Sequence, residues 1–159
     1  MRRNEREIHS RETIEKILTE NKTIFIGMND EYPYVLPLSH GYEFIEDQLI
    51  FYFHSAFEGK KLELLKKDNK VGFALGNEGQ PTFGDTNCAA GYLFSSVIGF
   101  GKIEFISDIQ EQKKALVSLF KTQFNQEVSF TDEEVGKVLI YKLVVEEYSG
   151  KQRTINKSY

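Results

Sequence analysis

The chain is poor in cysteine, proline and long apolar runs, and each shortage closes off a class of protein. Cys88 is the only cysteine among 159 residues. No internal disulfide framework and no cysteine-based zinc site can form, and a reducing, cytoplasmic setting is expected. No stretch approaches the roughly 20 apolar residues of a membrane helix, so no membrane contact is expected. The opening Met1-Arg2-Arg3 leads into Glu5, Arg6 and Glu7 rather than into the apolar core of a secretory signal. Positive charge is also scarce. Lys and Arg number 20 against 24 Asp and Glu, giving a net charge of −4, which argues against a nucleic-acid partner. The histidines, His9, His40 and His54, follow no zinc-ligand spacing, and no metal is expected. There is no Gly-x-Ser-x-Gly elbow, Walker loop or dinucleotide-binding glycine fingerprint, so hydrolase and kinase readings have no support. No repeat or Pro/Gly linker divides the chain, and one domain over 1–159 is expected.

What the chain does have is aromatic residues. Thirteen Phe and eight Tyr sit in a sequence that is 40% hydrophobic, which favours a sheet-rich core over a helical bundle. Ser10 reads as an N-cap, with Ile14, Ile17 and Leu18 on one helical face ending at Asn21. Thr23–Met28, Tyr34–Phe44 and Leu49–Phe53 read as three antiparallel strands joined by tight turns. Pro33 and Pro37 lack a backbone donor and place the second of these at an edge, at a bulge, or beside something other than another strand. Lys60–Lys67 is a short helix burying Leu62 and Leu65. Val71–Leu75 is a strand, 77–90 a polar loop, and Tyr92–Ile106 a long strand bent near Gly99 and Gly101. Asp108 with Glu111, and Thr131 with Glu134, open two further helices. The helix after Asp108 sets Ile109, Gln112, Leu116, Leu119 and Phe120 inward. Val138–Glu147 is the last strand. About six antiparallel strands with peripheral helices fit a small barrel, which removes most sheet edges.

The chemistry concentrates at Leu49–Lys61, LIFYFHSAFEGKK. An aromatic strand runs into His54-Ser55, then a short loop, then Gly59-Lys60-Lys61 at the start of a helix. A hydroxyl, an imidazole, free N–H groups and two ammonium groups meet there, which suits a phosphate monoester. An ordinary strand–helix connection with solvated lysines reads about equally well. Pro37-Leu38-Ser39-His40-Gly41 interrupts an apolar strand and points either to a flat ligand lying against it or to a bulged edge. In Ser96-Val97-Ile98-Gly99-Phe100-Gly101 the two glycines leave one face bare, for a bend or for close approach of a ring. Cys88, beside Ala89-Ala90, reads as a small packing residue.

Together, MRRNEREI, VLPLSHGYEF, LIFYFHSAFEGKK, the Cys88 region, SVIGFG and VVEEYSGKQR resemble the pyridoxamine 5′-phosphate oxidase-like superfamily, and within it the nitroimidazole-resistance type of flavoprotein. The resemblance covers nearly the whole chain. It implies a mainly β fold, the split barrel, and a homodimer with flavin mononucleotide (FMN) at the subunit interface. It implies that the segment from His54 to Lys61 handles the phosphate, with Ser55, Gly59 and either Lys60 or Lys61 as the contacts, and that Pro37, Leu38, Ser39 and His40 run beside the flavin ring. Ser96 and Val97 would line the pocket, and His54 would stand near the flavin as the candidate proton donor. The implied chemistry is reduction of a small organic acceptor such as a nitroaromatic. The alternatives are FAD in place of FMN, or a flavin or haem carrier without catalysis. Ala89-Ala90 and Ser95 stand where such proteins often carry a bulky aromatic and a basic residue. The arginines that true pyridoxamine phosphate oxidases use for substrate are not evident.

Overall fold

A computed structural model describes residues 4–154; Met1-Arg2-Arg3 and the end of the chain lie outside the described residues. Among the described residues, eight strands and four α-helices follow in order. They are β1 (Glu7–Ile8), α1 (Arg11–Glu20), β2 (Thr23–Met28), β3 (Tyr34–Ser39), β4 (Gly41–Ile45), β5 (Gln48–Ser55), α2 (Lys60–Lys67), β6 (Lys70–Thr82), β7 (Gly91–Phe105), α3 (Ile109–Phe124), α4 (Asp132–Val135) and β8 (Leu139–Arg153). The strands form one antiparallel sheet in the order β3-β2-β6-β7-β8-β5-β4, with β1 added to β8. The sheet curls into a half-barrel, a split barrel with helices at its periphery.

The helix starts follow the local chemistry. Ser10 Oγ accepts from Thr13 N–H at α1, and Asp108 Oδ1 accepts from Glu111 N–H, 2.8 Å away, at α3. Thr131 and Glu134 make the reciprocal capping box at α4. The apolar run of β5 is buried on both faces. Leu49, Phe51 and Phe53 join the barrel core, whereas Ile50 and Tyr52 join a second cluster with Ala115 and Leu116 of α3. A strand covered on both sides reads as continuous hydrophobicity, as this one does.

Four expectations need correction. The expected single strand Tyr34–Phe44 is two strands at opposite edges of the sheet, with His40 alone between them. The three-stranded meander therefore does not form, and the chain crosses the split of the barrel through one residue. The reason is local. His40 is fully buried, its Nε2 donates to the Asn21 carbonyl at 2.8 Å, and its own carbonyl accepts from Gln123 Nε2 at 2.8 Å. At Gly41 the backbone passes so close to α3 that a Cβ would collide with Ser118 and Leu119. Next, much of the expected 77–90 loop is strand. β6 continues to Thr82 along β7, with a register shift between Glu78 and Pro81. Long-range pairing overrides a polar, glycine-rich composition there. β8 likewise runs on to Arg153, because β7 and then β1 offer it a ladder. Finally, Cys88 lies in a short 3-10 turn, Asn87–Ala89, and is exposed rather than packed. The bend near Gly99 and Gly101 is present as a register shift between Phe100 and Gly101. Pro37 lies on edge strand β3, as its missing donor requires. Among the described residues no helix is long and apolar enough to cross a membrane.

Candidate functional site

The strand-to-helix corner is built around one glycine. β5 ends at Ser55, Ala56, Phe57 and Glu58 form an exposed loop, and Gly59 opens α2 with φ +134°. That backbone conformation is open to glycine and strained for other residues. Gly59 O accepts from Leu62 N–H at 2.9 Å and Glu63 N–H at 3.3 Å, and no side chain caps the helix. The N–H groups of the first turn ahead of Leu62 therefore face the corner with the positive end of the helix dipole.

Strand alternation separates His54 from Ser55. Ser55 shares the barrel-interior face with Phe53 and is half-buried, and its Oγ donates to Ala56 O at 2.8 Å. His54 points the other way and is exposed. Partial desolvation, with a smaller contribution from the Lys61 ammonium, lowers its pKa. The two lysines also part company. Lys60 Nζ lies 2.6 Å from Asp30 Oδ2 and 5.0 Å from the Tyr34 ring centroid, an attachment that raises the lysine pKa and lowers that of the aspartate. Lys61 has no carboxylate within ion-pair reach among the described residues, and partial burial lowers its pKa. An ammonium that has shed water without gaining a counter-ion is the better anion ligand.

The Lys60–Tyr34 contact ties the corner to the start of β3. From there β3 leads away, and at about 3.3 Å per residue Leu38 stands roughly 13 Å along the strand. Val35, Pro37 and Ser39 face outward and are exposed, while Leu38 turns its half-buried side chain to the core. His40 is enclosed in the core, so its ring is no part of this surface. On β7, Ser96 lies half-buried on the outer face. The Val97 side chain is a core group with no exposure, which leaves only its backbone for a ligand.

The sequence reading missed an apolar platform on the outer face. Strand pairing sets Val35, Gly27, Gly72 and Phe100 in one row and Pro37, Phe25, Ala74 and Ile98 in the next. Phe25, Val35, Ile98 and Phe100 are all about half exposed, with relative accessibilities of 49%, 59%, 53% and 48%. A cleft of about 330 Å³ runs beside it, lined in part by Phe73, Ile98, Phe100 and Tyr148. The available signal was the apolar residues at both parities of β7, which mark a strand that needs cover on both faces.

The antiparallel half-barrel with its phosphate-suited corner defines a split-barrel protein, and the sequence assigns it further. A family model for pyridoxamine 5′-phosphate oxidase matches residues 10–152, and the chain belongs to that family. A comparison with curated proteins gives no match. Among solved structures, the fold is similar to a candidate 5-nitroimidazole antibiotic resistance protein from Bacteroides thetaiotaomicron. That likeness has 29% identity and a TM-score of 0.79 over 92% of this chain and 86% of the other. It is also similar to the FAD and haem binding protein from Mycobacterium smegmatis, with 16% identity and a TM-score of 0.74 over 92% and 73% of the two chains. An FAD-binding protein from Mesorhizobium loti shares 21% identity and a TM-score of 0.63 over 94% and 98%.

Proposed function

We propose that the protein is a flavin-binding oxidoreductase that holds FMN at the α2 corner and reduces a small organic acceptor, such as a nitroaromatic. The observation that carries the reading is the corner itself: the Ser55 hydroxyl, the open N–H groups behind Gly59, and the Lys61 ammonium without a carboxylate. Those groups fit a phosphate monoester, and β3 leads away from them with Val35, Pro37 and Ser39 exposed. Family membership supports the reading, as do structural relatives described as a nitroimidazole-resistance candidate and as FAD binders.

A bound flavin would take two electrons from a donor and pass them to the acceptor. The chain's own residues would do the rest. Ser55, the α2 N–H groups and Lys61 bind the phosphate, with Lys60 keeping β3 close through Asp30 and Tyr34. The outward side chains of Val35 and Pro37, with Ser39, shape the strand beside the ring. His54, exposed and with its pKa lowered, is the candidate to move a proton. A second copy of the chain covers the outer platform and completes the pocket as a homodimer, since contiguous apolar surface of this kind marks an interaction face. A cytoplasmic location keeps the exposed Cys88 thiol reduced.

FAD is the alternative cofactor, because the exposed 56–59 loop leaves a longer phosphate chain free to extend over the surface. A non-catalytic flavin or haem carrier is the second reading. It is favoured by the likeness to a protein that binds FAD and haem, and by an accessible His54 imidazole that suits haem iron. An absorbance spectrum of the purified protein, with mass identification of the released cofactor, separates these. A flavin spectrum that bleaches with a reductant and returns with a nitroimidazole supports the reductase. A Soret band supports the haem carrier. A colourless protein that takes up neither added flavin nor haem rejects both.

A further inference from the structure

Tyr141 places a hydroxyl where packing needs none. The side chain is 1% exposed, its ring stacks on Phe53 with centroids 5.4 Å apart, and it tilts against Phe105 at 6.0 Å. Among the described residues its Oη has no hydrogen-bond partner. Phenylalanine would fill the same volume without burying an unpaired polar group.

The β5–β8 register shows what lies near that hydroxyl. Phe53 pairs with Tyr141 and Ser55 with Leu139, so Ser55 is the diagonal neighbour of Tyr141 on one face. Ser55 Oγ gives its proton to the adjacent Ala56 carbonyl, a local bond that an incoming anion can replace. A hydroxyl has one proton to donate and two lone pairs that accept. Once Ser55 turns its proton to a phosphate, its lone pairs need a donor, and the buried phenol supplies one. Burial pushes the Tyr141 hydroxyl up to about 12, with Ser55 opposing the rise, so the phenol keeps its proton at neutral pH.

We propose that Tyr141 is a positioning residue for the phosphate site, its hydroxyl donating to Ser55 Oγ while Ser55 donates to the phosphate of a bound flavin. The proposal rests on the reading of the α2 corner as the phosphate site. It gives the unpartnered hydroxyl a partner in the loaded protein and accounts for a tyrosine in the core.

The test measures FMN and riboflavin affinities by flavin fluorescence quenching, and the melting temperature of the flavin-free full chain. Wild type, Y141F, S55A and the double variant are compared. In Y141F, FMN binds about 3- to 10-fold more weakly, the worth of one hydrogen bond. Riboflavin, which lacks the phosphate, binds as in wild type, and the flavin-free protein melts no lower. The double variant binds FMN no more weakly than S55A. Unchanged FMN affinity in Y141F overturns the proposal. So does an equal loss for riboflavin, a further loss on the S55A background, or a lowered melting temperature, because each assigns Tyr141 to packing. If S55A itself binds FMN like wild type, or wild type binds no flavin, the phosphate reading of the corner fails and this proposal falls with it.

Discussion

His40 Nε2 donates to the backbone carbonyl of Asn21 at 2.8 Å, inside the core, at the one residue where the chain passes between the two edges of the sheet. Burial lowers the pKa of this imidazole. The Asn21 and Gly41 backbone bonds oppose that, and the Lys22 ammonium adds a little to it. The native state therefore resists a proton that the unfolded chain accepts at about pH 6.5. Stability is full above that pH and falls as the pH drops from there towards the lower native pKa. Urea unfolding at pH 8, 7, 6 and 5 should show a plateau and then a decline. The pKa values of the paired carboxylates Asp30, Asp68 and Glu134 are lowered, so their losses come only below about pH 4. In H40Q the slope between pH 7 and 5 should shrink. A flat wild-type profile over that range would show that the seam tolerates the charge.

Gly59 has φ +134° and open space where a side chain would sit. G59A thus meets no clash and isolates backbone strain, which should cost about 1–3 kcal/mol. Urea denaturation of the flavin-free protein reads the loss. Stability equal to wild type would mean that the corner relaxes into an ordinary helix start.

The two lysines of the corner should behave differently. K61A removes the ammonium without a carboxylate and should weaken FMN binding by about tenfold or more, the worth of a charge-assisted bond. K60A removes an exposed ammonium already held by Asp30, and its effect on FMN affinity should stay within about threefold. Titration of each variant with FMN decides the matter. A larger loss in K60A would reassign the phosphate contact.

The outer platform should be the dimer face. F25D or I98D places a carboxylate among Val35, Phe25, Ile98 and Phe100, which a partner would have to desolvate. Sedimentation velocity should find a wild-type dimer and monomeric variants with impaired flavin retention. A monomeric wild type, or dimers that survive both substitutions, would move the interface elsewhere.

Much of this was legible along the chain because its causes are local. Ser10, Asp108 and Thr131 announce helix starts through hydrogen bonds reaching three residues ahead. Pro37 signals an edge strand through its missing donor, and Gly59 with the lysines marks the corner. What misled was long-range. Residues 77–82 are polar and glycine-rich, yet they become strand because β7 lies alongside. Tyr34–Phe44 looks like one strand, and only the packing of His40 and Gly41 against Asn21, Gln123 and α3 splits it.

By itself, the order of residues determined the strand-rich class, the helix boundaries, the family, and the strand-to-helix corner with its hydroxyl and ammonium groups. Tertiary structure alone decided which lysine is paired and which is not, that Val97 and His40 belong to the core, and that an apolar platform faces outward. Those outcomes depend on neighbours distant in sequence, brought close by the curl of the sheet. Local periodicity and spacing carry no record of which distant residue will be across the gap.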